Sequence, residues 1–133
     1  MAEAKSVRNL RKGYKAFADQ DMAVLAEVIP EDAVWHVAGR SPLAGDYKGR
    51  DAVFGYFGKL MEVSGGTFKA DLVHVVGDDS FAIALQRSTW TVKGRRYDGT
   101  DVLVDRVDEK GLAVETWIYL EDQALADELL ASG

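Results

Sequence analysis

Four β-rich runs follow one another in the second half of the chain, separated only by short turn-forming sequences. The connections contain GDDS, KGRR and DEKG, which are typical of hairpins. A parallel crossover needs a dozen or more residues, so these short connections predict antiparallel neighbours. The predicted strands are Thr67–Val76, Phe81–Val92, Tyr97–Val107 and Leu112–Leu120.

The first half of the chain has helical periodicity. Apolar side chains recur every three or four residues from Val7 to Phe17, and Asp21 is placed to cap a short second helix that ends at Pro30. A strand over Ala33–Ala38 and a loop over Gly39–Gly49 follow, because β-branched and aromatic residues give way to Gly and Pro. Helices are also predicted from Asp51 to Gly65 and over EDQALADELL near the C-terminus.

This order predicts an α+β roll, in which helices pack on one face of a curved, mostly antiparallel sheet. No linker or repeat interrupts the pattern, and 133 residues suit one core, so we expect a single domain over 1–133.

Composition excludes several classes of partner and site. The net charge of −6 opposes binding to nucleic acid. The chain has no cysteine, which excludes disulfides, thiolate ligands and a cysteine nucleophile. No apolar run approaches the ~18 residues of a membrane span, and the N-terminal segment lacks the apolar core of a signal peptide. We therefore expect a cytoplasmic protein without membrane contact.

Three segments carry a resemblance to a known family: AEVIPEDAVWHVAG, GRSPLAGDYKGRDAVFGYF and VETWIYLEDQ. With them, the chain resembles the SnoaL-like branch of the nuclear-transport-factor-2-like superfamily, which includes polyketide cyclases, ketosteroid isomerases and limonene epoxide hydrolases. The resemblance implies a cone in which a curved mixed sheet wraps around the N-terminal helices and leaves a deep pocket. It also implies a homodimer formed through the outer sheet face, and no cofactor.

The catalytic residues of those enzymes are not carried over to this chain. Val37 stands where the isomerases place a carboxylate base on the early strand. Arg87 matches the arginine of the epoxide hydrolases, but Thr89 and Tyr119 occupy the positions of their carboxylates. Tyr14 lies within one residue of the isomerases' oxyanion tyrosine, and the resemblance makes it a candidate hydrogen-bond donor.

Other titratable residues leave alternatives open. Asp101 and Asp105 share one face of the Tyr97–Val107 strand, together with Leu103. If Val102 and Val104 face the interior, which we favour because ionisable residues are seldom buried unpaired, both carboxylates lie outside. If Leu103 faces inward, Asp101 is a buried acid or base with a raised pKa.

The two histidines have no carboxylates at metal-ligand spacing, so no metal site is predicted. His36 is a candidate proton carrier because imidazole titrates near neutral pH, although it lies on the strand face opposite Trp35. His74, between valines, is interpreted as a residue that fills a sheet face.

Aromatic residues give the stronger signal for ligand binding. By the resemblance, the Trp35/Val37 face lines the cone, and aromatic residues from several elements converge there. A cavity with several indoles suits a flat apolar ligand. The candidate ligand-binding residues are Trp35, Val37, Phe54, Phe57, Trp90, Trp117 and Tyr119.

The leading hypothesis is a SnoaL-like protein that binds a small hydrophobic ring compound. It would act without a cofactor, as an isomerase, cyclase or hydrolase that works by proton transfer. Tyr14 would donate a hydrogen bond, and His36 or Asp101 would carry the proton. The alternative is a non-catalytic, dimeric ligand-binding domain, which the uncharged residues Val37, Thr89 and Tyr119 favour.

Overall fold

The computed structural model describes residues 3–133, and its fold confirms the expected α+β roll. Four helices and one open six-stranded sheet are formed over this range. The elements are α1 (Lys5–Ala18), α2 (Met22–Val28), β1 (Val34–Val37), β2 (Gly45–Lys48), α3 (Arg50–Val63), β3 (Lys69–Gly77), β4 (Phe81–Val92), β5 (Arg95–Val107), β6 (Ala113–Tyr119) and α4 (Gln123–Ser132).

The sheet is mixed, with the strand order β2-β1-β6-β5-β4-β3. All neighbouring strands are antiparallel except β1 and β6, which run parallel, with Val34 opposite Glu115. The four C-terminal strands form the predicted meander. The parallel pair places β1, the first strand of the chain, beside β6, the last one, and both lie inside the sheet rather than at its edges.

The prediction of a loop over Gly39–Gly49 is wrong in part, because the segment contains β2. This strand pairs with β1 as a hairpin, and Tyr47 lies opposite Trp35. Gly45 and Gly49 have positive φ at either end of the segment. Only one apolar side chain, Tyr47, falls within the four residues, so the alternation was too short to indicate a strand.

Two aspartates begin the shorter helices. The Asp21 side chain accepts a hydrogen bond from the Val24 amide at the start of α2, as predicted, and Asp122 accepts one from Leu125 at the start of α4. Each carboxylate satisfies an amide that a helix leaves without a partner. Among residues 3–133, no helix is both long enough and apolar enough to cross a bilayer.

Side chains alternate across β4 and separate the two faces of the sheet. Phe81, Ile83 and Leu85 are exposed on the outer face, whereas Ala84 and Gln86 are buried on the inner face. Helices α1, α3 and α4 pack over that inner face, and the apolar core lies between them and the strands.

On β5 the favoured orientation is corrected. Leu103 faces inward with Asp101 and Asp105, and both carboxylates are buried, whereas Val102 and Val104 face the other side. The expectation failed because it rested on the cost of burying unpaired charge. Both aspartates have hydrogen-bond partners in the interior, which reduces that cost.

Candidate functional site

A cavity of about 120 Å³ lies between α1, α2, α3 and the inner face of the sheet. Its wall is mainly apolar and aromatic, with contributions from α1, β1, α3 and the segment before β3. The aromatic residues that line it are Tyr14, Phe17, Trp35, Tyr56, Phe57 and Phe68. Phe57 packs edge-on against both Phe17 and Trp35, each with ring centroids 5.2 Å apart, which fixes this part of the wall.

Among the residues that the structure describes, Asp105 is the only one that lines this cavity with a carboxylate. Its Oδ1 accepts a hydrogen bond of 2.6 Å from the Thr116 hydroxyl, on the neighbouring strand. Its Oδ2 makes no hydrogen bond to any side chain within residues 3–133. Burial raises the pKa of the Asp105 carboxyl to about 6, although the bond from Thr116 acts in the opposite direction. Near neutral pH, this group can therefore take up or release a proton.

Tyr14 reaches the cavity from α1, where its hydroxyl donates a 2.6 Å hydrogen bond to Gln86 Oε1 on β4. Burial raises the pKa of Tyr14 well above its ordinary value, and the negative charges of Asp105 and Asp101 raise it further. The hydroxyl therefore keeps its proton at all physiological pH values.

Asp101 is fully buried beside a second, smaller cavity of about 20 Å³. Four groups donate hydrogen bonds to its oxygens: the Tyr97 and Ser88 hydroxyls, the Gln86 amide and the backbone amide of Glu121. These donors occupy both oxygens of the carboxylate. Asp101 is therefore better suited to hold the surrounding groups in place than to exchange a proton with a ligand.

Tyr97 reaches Asp101 along its own strand, passing over Gly99 between them. The hydroxyl lies 2.8 Å from Asp101 Oδ1. A β-carbon at position 99 would collide with the Tyr97 ring. Glycine is therefore required here, because the ring occupies the space that any other side chain would take.

The structure brings some of the predicted ligand-binding residues into these cavities. Trp35 and Phe57 line the main cavity, and Val37 and Trp90 line the smaller one. Phe54 packs behind Phe57 in the core and lines neither cavity.

The predicted wall of Trp117 and Tyr119 is corrected, because both lie on the outer face of β6. Thr116 and Ile118 occupy the inner face, and Tyr119 is 51% exposed. Alternation was predicted correctly, but apolar residues stand on both faces of this strand, so the pattern did not indicate which face is inside.

His36 also lies outside the cavity, at the centre of a charged cluster. Its Nδ1 is 2.7 Å from Asp46 Oδ1 on β2, and its Nε2 is 2.7 Å from Glu115 Oε2 on β6. Arg106 contacts the other oxygen of Glu115 at 3.2 Å, and the imidazole stacks on Trp117. The hydrogen bond to Asp46 is the largest cause that raises the pKa of His36, and the hydrogen bond to Glu115 raises it further. Within residues 3–133, no group of three or more histidine and acidic side chains is arranged to hold a metal ion.

The family model described as the SnoaL-like domain matches residues 10–116. The chain belongs to the SnoaL-like family. No curated protein sequence matches it. Among solved structures, this SnoaL-like chain is similar to Bal32a from a soil-derived mobile gene cassette, with 38% identity, 95% of this chain and 96% of the other covered, and a TM-score of 0.89.

Two more distant structures share the fold. A protein of unknown function with a cystatin-like fold from Xanthomonas campestris is 26% identical, with 94% and 97% of the two chains covered and a TM-score of 0.84. IdmH of Streptomyces antibioticus, provisionally assigned as a polyketide cyclase, is 20% identical, with 92% and 97% covered and a TM-score of 0.73. At that identity, the second comparison concerns the fold alone.

Replacement of Asp105 by Asn tests its raised pKa through stability. Because the folded state binds this proton more tightly than the unfolded chain, the stabilisation is complete below about pH 4 and is lost as the pH rises through about 6. Asn cannot ionise, so the variant does not lose stability at this position as the pH rises. We expect the free energy of unfolding of Asp105→Asn, relative to wild type, to rise by on the order of 3 kcal/mol over this range, measured by urea denaturation.

Thr116→Val is the companion variant. It removes the hydrogen bond that lowers the Asp105 pKa, so the midpoint of the pH dependence should move upwards. A stability difference between Asp105→Asn and wild type that stays constant with pH would contradict the assignment.

The His36 cluster has its own pH dependence. Its raised pKa means that the stabilisation is complete below about pH 6.5, the ordinary pKa of histidine, and is lost as the pH rises through the raised value. We expect the stability advantage of wild type over His36→Gln to shrink as the pH rises above about 6.5, measured by urea denaturation. An NMR titration of His36 with a midpoint at or below the ordinary histidine pKa would overturn this assignment.

Proposed function

We propose that this SnoaL-like protein binds a small apolar ring compound in the main cavity and catalyses proton transfer on it, with Asp105 as the acid or base. The observation that carries the proposal is a buried carboxyl with a pKa of about 6, which lines an aromatic cavity and has one oxygen without a side-chain partner among the described residues. A group of this pKa is suited to general acid–base catalysis at neutral pH.

The shape of the wall supports a ring compound as ligand. Trp35, Phe57 and Phe68 offer flat apolar surfaces, and few polar groups interrupt them. Isomerisation, cyclisation and hydrolytic addition all include a proton transfer of this kind, and the proposed mechanism uses no cofactor.

The proposed roles differ from those expected from the sequence. Asp105 replaces Asp101 and His36 as the proton carrier, because Asp101 is enclosed by four donors and His36 lies on the outer face. Above about pH 6, the Asp105 carboxylate can accept a proton from an acidic C–H or O–H bond of the bound ring. The carboxylic acid that forms then returns the proton to another atom of the same ring, so Asp105 is a carboxylate again at the end of the turnover.

A non-catalytic binding domain is the second candidate. Val37, which stands where the ketosteroid isomerases that the chain resembles keep a base, lines only the smaller cavity and cannot take a proton. On this reading, Asp105 would orient the ligand without exchanging a proton with it.

We also propose a homodimer that forms through the outer sheet face. Phe81, Ile83 and Leu85 alternate along the exposed side of β4, and Tyr119 is exposed on β6. Such a run of exposed apolar side chains is typical of an interface. A second copy of the chain is the proposed occupant, in agreement with the resemblance.

The enzymatic proposal predicts accelerated exchange of a carbon-bound proton in a phenol. With 2-naphthol in D₂O, wild type should speed the replacement of the ring proton at C1 by deuterium, followed by ¹H NMR. Asp105→Asn should lose about 10²–10⁴-fold of this acceleration, whereas His36→Gln, altered only on the outer face, should retain it. Binding of 2-naphthol without faster exchange would favour the non-catalytic candidate.

The dimer proposal predicts that a charge on the outer face disrupts assembly. We expect wild type to sediment as a dimer and Ile83→Glu as a monomer, because a carboxylate buried between two sheets is strongly unfavourable. Ala124→Glu, which adds the same charge on the exposed surface of α4, is the control and should remain dimeric. A monomeric wild type at micromolar concentration would refute the proposal.

A further inference from the structure

The Tyr14 hydroxyl has a single proton, which forms a hydrogen bond within the protein itself. That proton is donated to Gln86 Oε1 over 2.6 Å, and the raised pKa of Tyr14 keeps it in place. A hydroxyl that donates elsewhere has only its lone pairs left to offer to a ligand. The direction of this hydrogen bond therefore decides what Tyr14 can recognise in the cavity.

Asp101 fixes the direction of the bond by orienting the Gln86 amide. Gln86 Nε2 points to Asp101 Oδ2 at 3.4 Å. If the amide were rotated by half a turn, its oxygen would face the carboxylate oxygen, and two acceptors would meet in a buried site. The bonds from Tyr97 and Ser88 hold Asp101 in place, so the orientation of Gln86 is determined by groups outside the main cavity.

Thr116 repeats the same arrangement at Asp105. Its hydroxyl proton is donated to Asp105 Oδ1, so it too can offer only lone pairs to the cavity. Tyr14, Thr116 and the ionised form of Asp105 are thus hydrogen-bond acceptors towards a ligand on the sheet side of the cavity.

We infer that Gln86, held by Asp101, is a specificity-determining positioning residue that makes Tyr14 a hydrogen-bond acceptor, so that the cavity selects ring compounds carrying a hydroxyl group over those carrying an ether or carbonyl oxygen. This inference rests on the proposed binding of a ring compound. It reverses the donor role that the resemblance implied for Tyr14. The ligand class it names is the phenols and enols.

The hydrogen bond can be tested first in the absence of ligand. A Tyr hydroxyl that is buried and hydrogen-bonded exchanges slowly enough with water to give its own ¹H NMR signal. We expect such a signal in wild type, its loss in Tyr14→Phe, and its loss or large shift in Gln86→Met. His36→Gln is the control, because it changes a side chain on the outer face and leaves Asp101 and the Tyr14–Gln86 pair intact, and it should keep the signal.

Ligand preference is tested with 2-naphthol and 2-methoxynaphthalene, which share a ring system but differ in the hydroxyl proton. From the net strength of one hydrogen bond, we expect wild type and His36→Gln to bind 2-naphthol about five- to tenfold more tightly than 2-methoxynaphthalene. In Gln86→Met the Tyr14 proton is free to bond the ether oxygen, so the preference should fall to about one. Tyr14→Phe should lose the preference as well.

The outcomes separate this inference from the proposed function. Equal binding of the two compounds by wild type would overturn the inference while leaving ring binding intact. A preference that survives in Tyr14→Phe would assign the acceptor to Asp105 or Thr116 and would also overturn the inference. An unchanged hydroxyl signal in Gln86→Met would do the same. If neither compound binds, the proposed function fails, and the inference fails with it.

Discussion

The interior of this protein is organised around a carboxyl group that lies out of reach of bulk water and is surrounded by hydrogen-bond donors. Asp101 is fully buried, and an ionised group in that position is very unfavourable unless donors surround it. Gln86 and Ser88 on β4, Tyr97 on β5 and the backbone after β6 supply those donors. Because the donors come from β4, from β5 and from the segment that follows β6, the arrangement holds the sheet in register at this point and orients the polar groups of both cavities.

Most of the fold followed from local patterns in the sequence. Short turns between β-rich runs require hairpins, and the three- to four-residue repeat of apolar side chains in the first half requires amphipathic helices. Asp21, which begins α2, was recognised as a capping residue. Strand β2 was missed because its pairing with β1 depends on long-range packing of Tyr47 rather than on its own four residues.

The candidate site was less predictable, because a period of two indicates which residues share a face but not which face is buried. The sequence indicated Asp105 only as a neighbour of Asp101 on one strand face, and its inward position follows from that of Leu103, which lies in the core. Each carboxylate is buried with a hydrogen-bond partner. Thr116, the partner of Asp105, lies on the neighbouring strand, whereas Tyr97, the partner of Asp101, lies on the same strand. The spacing of Tyr97 and Asp101 on one strand, with Gly99 between them, was a signal available from the sequence alone.

The parallel pair of β1 and β6 has a consequence for how the chain reaches its native state. All other paired strands are close to each other in sequence, but β1 pairs with β6, the last strand of the meander. Contacts between such distant segments form late, because closing the loop loses entropy before any contact compensates for it. We therefore expect the hairpins of β3 to β6 to form first, and the hairpin of β1 and β2 to dock onto them afterwards. Trp35 then completes the wall of the cavity in the last step of folding.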